Sequence, residues 1–235
     1  MLRRNFLVSM VLAAAGVAIA RARVIFGGAP WFKDPVVMPA PVTPDGWKFF
    51  TAAEVAAVDA IADRLIPADE SSIGGKEAGC TLFIDRQLVG DFGQGVARYK
   101  LGPVVAGTPQ QGPQFIETPA ERYRIGLAAL DAHCTSTLGG KTFAALTADQ
   151  QDHVLTQLEA GSIAVGKLEP KAFFNLLLQN VREGYFADPI YGGNKDMASW
   201  KWLGFPGAQY DFRDQIGQRG KDLKIIPISL LSKKT

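Results

Sequence analysis

Apolar residues recur at three- and four-residue spacing in five stretches of this chain, and most of these open on a residue able to cap a helix. In the first, Thr51 and Glu54 form a Thr-x-x-Glu capping box, and Val55, Val58, Ile61 and Leu65 follow at helical spacing until Pro67 stops the run. A shorter helix is expected over "TLFIDRQLV" from Thr81, with Gly90 ending it. At Thr118 a cap, a proline at the first helical position and the reciprocal Glu121 coincide. Tyr123, Leu127, Leu130 and Cys134 then form an apolar face that Gly139-Gly140 terminates. Thr147 with Gln150 opens a fourth helix, carrying Val154, Leu155 and Leu158 and closing at Gly161. Pro170 begins the fifth, "PKAFFNLLLQNVRE", with Gly184 at its expected end.

Between these stretches the period disappears. Prolines at 30, 35, 39, 41 and 44 make residues 21–47 an extended lead-in. From Gly90 to Thr118 glycines and prolines alternate with scattered aromatics, a long loop of the kind that is usually functional or partner-bound. "EGYFADPIYGGNKDMASWKWLGFPG", residues 183–207, packs six aromatic rings and five glycines into a segment with neither helix nor strand spacing. "KIIPISLL" is left extended because Pro227 interrupts it. The fold class that follows is all-α. A single irregular helical domain of about five main helices is expected over residues 48–235, with long ordered loops and an extended C-terminal tail.

The first twenty residues change the picture, because Arg3-Arg4, Phe6-Leu7 and an apolar run ending in small residues near Ala20 read as a twin-arginine export signal over residues 1–20. The run is shorter than the about twenty residues a membrane-spanning helix needs. That pathway carries folded proteins, so the mature chain is expected in the periplasm. With Arg3 and Arg4 set aside, the basic and acidic residues are level, which argues against a nucleic-acid partner. Positive charge remains only locally, from Arg213 onward, and reads first as a solvated tail and second as a binding surface. In an oxidising compartment the even pair Cys80 and Cys134 is most simply a disulfide, contributing about 4 kcal/mol by the chain-entropy model.

Candidate chemistry is sparse. There is no Gly-x-Gly-x-x-Gly after a strand for a dinucleotide and no Cys-x-x-Cys-His for covalent haem, and two cysteines are too few for an iron–sulfur cluster. His133 and His153 lack convergent metal-ligand spacing, and neither selects a partner from Ser71, Ser162 or Ser199 for a hydrolytic triad. Glu54, Asp59 and Asp63 read as the solvated side of the first helix. No catalytic, cofactor-binding or metal-binding residue is assigned to this chain.

"FFTAAEVAAVDAIADRLIPADE" and "EGYFADPIYGGNKDMASWKWLGFPG", together with the leader, resemble the small subunit (subunit 3, or gamma) of membrane-associated gluconate 2-dehydrogenase, over roughly Phe49 to Gln209. The resemblance implies a non-catalytic subunit of a periplasmic complex held at the inner membrane. Its partners would be an FAD-containing large subunit of the glucose-methanol-choline type and a multihaem cytochrome c subunit. The small subunit would bind the flavoprotein and carry it through the twin-arginine translocon. The substrate, whether gluconate, 2-ketogluconate, glucose or another polyol, belongs to the large subunit. On this reading Tyr185, Phe186, Tyr191, Trp200, Trp202 and Phe205 divide between the core and the partner, and Asp188, Asn194, Lys195 and Asp196 act as orientation contacts. Two alternatives are a stand-alone exported enzyme using His133 or His153, and a periplasmic sugar-binding protein using the 185–205 loop.

Overall fold

The reciprocal caps read from the sequence form as expected. Glu54 and Thr51 exchange hydrogen bonds at 2.8 and 3.3 Å and start α1, Ala52–Leu65. Thr118 and Glu121 do the same at 2.8 and 3.3 Å for α4, Pro119–Thr137, and Thr147 with Gln150 caps α5, Ala148–Ala160. Each cap satisfies backbone donors that the first helical turn leaves without a partner. These elements belong to a computed structural model that describes residues 39–97, 104–105, 107–111, 114–209 and 211–231. The export-signal residues Arg3, Arg4, Phe6 and Leu7 and most of the proline-rich lead-in lie outside the described residues.

Among the described residues there are seven α-helices and no sheet, only two isolated bridges. The remaining helices are α2 (Cys80–Val89), the single turn α3 (Asp91–Gln94), α6 (Pro170–Phe186) and α7 (Ala198–Leu203). The all-α expectation is met, with two short helices beyond the five expected. α3 follows directly on Gly90, which both ends α2 and precedes the new turn.

α6 is the centre of the packing, lying against α2, α5 and α1. Its Phe173, Leu177 and Val181 have no solvent exposure, and they meet Ile61 of α1, Ile84 and Leu88 of α2, Leu130 of α4 and Leu158 of α5 in one cluster. Each such side chain contributes roughly 1.5–3 kcal/mol when removed from water. The helix also outruns its expected stop, continuing through Gly184 to Phe186. A Cβ at Gly184 would stand 3.0 Å from the Phe83 ring and 3.2 Å from the Cys80 Cα, and one at Gly193 would stand 2.0 Å from the Gly184 carbonyl oxygen. The glycine pair therefore marks a close approach of α6, α2 and the following loop, and not a helix terminus.

Asp85 of α2 is wholly buried, and its carboxylate accepts three successive backbone N–H groups, from Lys48, Phe49 and Phe50, each at 2.9 Å. Arg86 pairs with Asp85 and reaches back to the Thr43 and Gly46 carbonyls and to Asp45 at 3.1, 2.8 and 2.8 Å. The end of the proline-rich segment is thereby fixed against α2, and Val42 adds a backbone bond to Ile190 at 2.8 Å.

The acidic row on α1 is more than a solvated face. Glu54 pairs with Arg124 of α4, Asp59 accepts the Thr81 hydroxyl at 2.6 Å, and Asp63 accepts the Lys76 N–H at 2.9 Å. Desolvation pulls the Glu54 carboxyl up, but hydrogen bonds from Arg124 and Thr51 outweigh it and hold it below its ordinary value of 4.5. Arg64 adds a two-pronged contact to Asp152 of α5, both arms at 2.6 Å.

The expected Cys80–Cys134 disulfide is not formed, and both thiols are free and buried. Cys80 opens α2 with its thiol turned to the Val181 carbonyl of α6 at 3.4 Å, whereas Cys134 lies near the end of α4. Burial pushes the Cys80 thiol up to about 12 and the Cys134 thiol up to about 11.

Replacing Asp85 by Ala leaves the Lys48, Phe49 and Phe50 N–H groups without their acceptor, the last of them buried, and takes one of its partners from Arg86; it is expected to cost about 3–5 kcal/mol, measured by urea unfolding. The neutral thiols are favoured by the fold, so their contribution is complete below the ordinary value of 9.0 and is lost as the pH rises through the folded values. Thiol titration at about pH 8 should accordingly find no reactive cysteine in the native chain and two after unfolding. Absence of thiol in the unfolded chain would show that the bridge does form.

Candidate functional site

The ring-rich segment is ordered from within by two polar side chains. Asn194 is fully buried in a left-handed conformation at φ +46°. Its amide donates to the Ala187 carbonyl at 2.9 Å and accepts from the Ser199 N–H and hydroxyl at 3.0 and 2.8 Å. Asp196 and Met197 are also left-handed, at φ +56° and +57°, which costs of order 1 kcal/mol or more each for residues other than glycine. The Asn194 bonds hold this turn and launch α7 from it. Asp188 does a similar job on the other side. Its carboxylate caps the short turn at Ile190 (3.0 Å) and accepts the Ser229 hydroxyl at 2.7 Å and the Leu230 N–H at 2.9 Å.

Those last two bonds tie the C-terminal segment to the ring-rich one. Ala208 donates to the Ile228 carbonyl at 2.7 Å and Ile228 to the Pro206 carbonyl at 3.1 Å, forming the parallel bridge between Gly207 and Ile228. The C-terminal segment carries a short turn at Arg213–Gln215, has no helix over 221–227, and is pinned at Ile228 to Leu230 instead of solvated throughout. Asp188 and Asn194, read from sequence as orientation contacts for a partner, are committed internally; Lys195 and Asp196 remain exposed.

The six rings divide. Tyr185 is 2% exposed, with its hydroxyl donating to the Ile73 carbonyl at 2.8 Å, and Trp200 is 6% exposed, with its indole N–H donating to the Phe186 carbonyl at 2.9 Å. Both belong to the protein's own interior, where a buried ring needs a partner for its polar tip. Trp202 is 52% exposed and Phe205 47%, while Phe186 and Tyr191 are exposed to 38% and 36%. The Phe205 ring stands edge-on to Trp200 at 5.2 Å, so the buried indole supports an outward ring. Leu203, beside Trp202 on the last turn of α7, is more exposed still.

An open groove of about 790 Å³ runs between α7 and the C-terminal segment, with Trp202 and Leu203 on one wall and Ile225, Ile226 and Pro227 on the other. Lys201, Lys221 and Lys224 rim it, with Asp222 as its one carboxylate. Trp202 and Leu203 together with Ile226 expose more apolar surface here than scattered single residues would. The sequence reading missed Leu203, Ile226 and the three lysines as members of one surface. Their signal was present as the local positive charge of the tail, but α7 and the tail are brought together only by Asp188 and the Gly207–Ile228 bridge.

Alternative chemistry finds no such convergence. His133 is half-buried on α4 and His153 exposed on α5, and among the described residues no three His, Cys, Asp or Glu side chains are placed to hold a metal ion. The Ser71 hydroxyl donates to Asp69 at 2.7 Å in a local turn, and that of Ser199 is used by Asn194. No described helix is long and apolar enough to cross a membrane.

The family model described as Gluconate 2-dehydrogenase subunit 3 matches residues 52–207, from the first residue of α1 to the glycine at the tail bridge. No curated protein and no solved structure matches the chain at a significant level. The matched span takes in the capped first helix, the α6 core and the whole ring-rich segment with its Asn194 and Asp188 anchors. The chain belongs to the gluconate 2-dehydrogenase subunit 3 family.

Proposed function

We propose that this chain is the non-catalytic small subunit of a periplasmic, membrane-associated gluconate 2-dehydrogenase complex, that it binds the flavoprotein large subunit, and that it carries that subunit through twin-arginine export. FAD belongs to the large subunit, of the glucose-methanol-choline type, and haem c to a multihaem cytochrome subunit. The leader at Arg3, Arg4, Phe6 and Leu7 provides the address for both proteins. Family membership supports a role within a complex.

The observation that carries the docking role is the division of the rings. Trp202 and Phe205 face outward on a turn whose inner residues, Trp200 and Asn194, are buried and hydrogen-bonded. Rings presented by a rigid support give large contact area at small entropic cost, which is why they dominate interface energetics. The arrangement suits recognition of a folded surface, since the support is already ordered before a partner arrives.

Trp202→Ala with Phe205→Ala is expected to weaken capture of the purified large subunit by roughly 30-fold or more, while the circular dichroism of the small subunit stays unchanged and its thermal midpoint falls only slightly, through the lost Phe205 contact with Trp200. Trp200→Ala, by contrast, should lower the thermal midpoint, because it removes a buried ring and strands the Phe186 carbonyl. Unchanged capture by the double variant would overturn the docking role. Arg3→Lys with Arg4→Lys should leave both subunits in the cytoplasm, read by fractionation; export of the large subunit without this chain would refute the carrier role.

A further inference from the structure

We infer that the groove between α7 and the C-terminal segment receives an acidic, apolar-bearing stretch of the partner subunit's chain. This rests on the docking role proposed above, and specifies the chemistry of what docks. The first ground is charge. Three lysines rim the groove against one carboxylate, in a mature chain whose charges are otherwise balanced. Asp222 is already used, since it pairs with the Lys224 ammonium and accepts the Lys224 N–H at 3.1 Å. Lys201 and Lys221 pair with no described carboxylate and stand on opposite walls. A segment lying between them would meet a cation on either side.

The second ground is that the groove is built rather than incidental. Its far wall is fixed at one end by the Asp222 turn, in which Lys224 is left-handed at φ +48°, and at the other by the Gly207–Ile228 bridge and the Asp188 bonds. Its near wall is α7, launched from the Asn194 turn. Trp202 and Leu203 on the near wall and Ile226 on the far one present exposed apolar surface to the groove. An occupant must offer apolar side chains to these and carboxylates to the lysines.

Two other occupants fit less well. A small ligand is usually oriented by polar groups buried within its pocket, and the lysines here are rim residues open to solvent. An anionic lipid surface favours a broad convex apolar face with cations around it, whereas here the two walls face each other across a concavity and α7 has only six residues. An extended peptide segment suits both the shape and the alternation of charge with apolar surface.

The test uses the purified flavoprotein large subunit and the full small subunit, with binding measured at about 0.05 M and about 0.5 M NaCl. Lys201→Glu with Lys221→Glu should weaken binding roughly tenfold or more at low salt, with the difference shrinking at high salt, and Lys201→Gln with Lys221→Gln should fall between. Both lysines are exposed, so the thermal midpoint should not move. Trp202→Ala should weaken binding by the same factor at both salt concentrations. If the ring variants lose binding while the charge-reversed variant binds like the parent at low salt, the acidic occupant is refuted and the docking role stands. If neither set of variants affects binding, the docking role itself fails. Charge-sensitive binding of the small subunit to phosphatidylglycerol vesicles, with flavoprotein binding unaffected by charge reversal, would assign the groove to lipid and overturn the inference.

Discussion

A buried carboxylate is tolerable only when its charge is fully engaged, and the Asp85 side chain meets that condition with three backbone N–H groups and the Arg86 guanidinium. Much of the fold's order depends on this contact. It fixes Lys48 to Phe50 just before α1, so the capping box at Thr51 starts in register with α2. It also places Phe50 against Tyr123, which in turn meets Phe173 edge-on at 6.3 Å, linking the lead-in to α4 and α6 through three rings. Arg124 completes the joint by lying over the Phe49 ring at 4.0 Å and pairing with Glu54. A charged side chain thus organises a junction that apolar packing alone would leave free to slide.

The same logic recurs at the other end of the molecule. Asn194 and Asp188 are polar side chains spent on backbone groups, and together they turn a glycine- and ring-rich sequence into a supported surface. Because Trp200 and Tyr185 are anchored inward, Trp202 and Phe205 have only outward positions left. The outward-facing ring surface is therefore a consequence of internal hydrogen bonding. The tail takes part because Ser229 and Leu230 bond to Asp188, which closes the lysine-rimmed groove against α7.

Family membership gives these features a setting, since a subunit of a complex presents surface to other chains. The left-handed turns at Asn194, Asp196 and Met197 show where backbone energy is invested, directly before the helix that presents the exposed rings.

Sequence by itself determined the helical class and most helix starts, because a cap and its reciprocal partner lie three residues apart and form without help from the rest of the chain. It also determined which faces enter the core, as Val58, Ile61, Tyr123, Leu130 and Leu158 confirm. Glycine was ambiguous: Gly161 does end α5, yet Gly184 lies inside α6, because it makes close contact with Phe83, far back in the chain, and with Gly193 in the loop that follows. The pairing state of Cys80 and Cys134 was likewise beyond local pattern, since it depends on where each thiol points. Only tertiary structure decided which rings face out and that Lys201, Trp202, Lys221 and Ile226 share one groove. The physical reason is range. A cap reads its neighbours, whereas the groove exists because Asp188 holds a segment some forty residues further on.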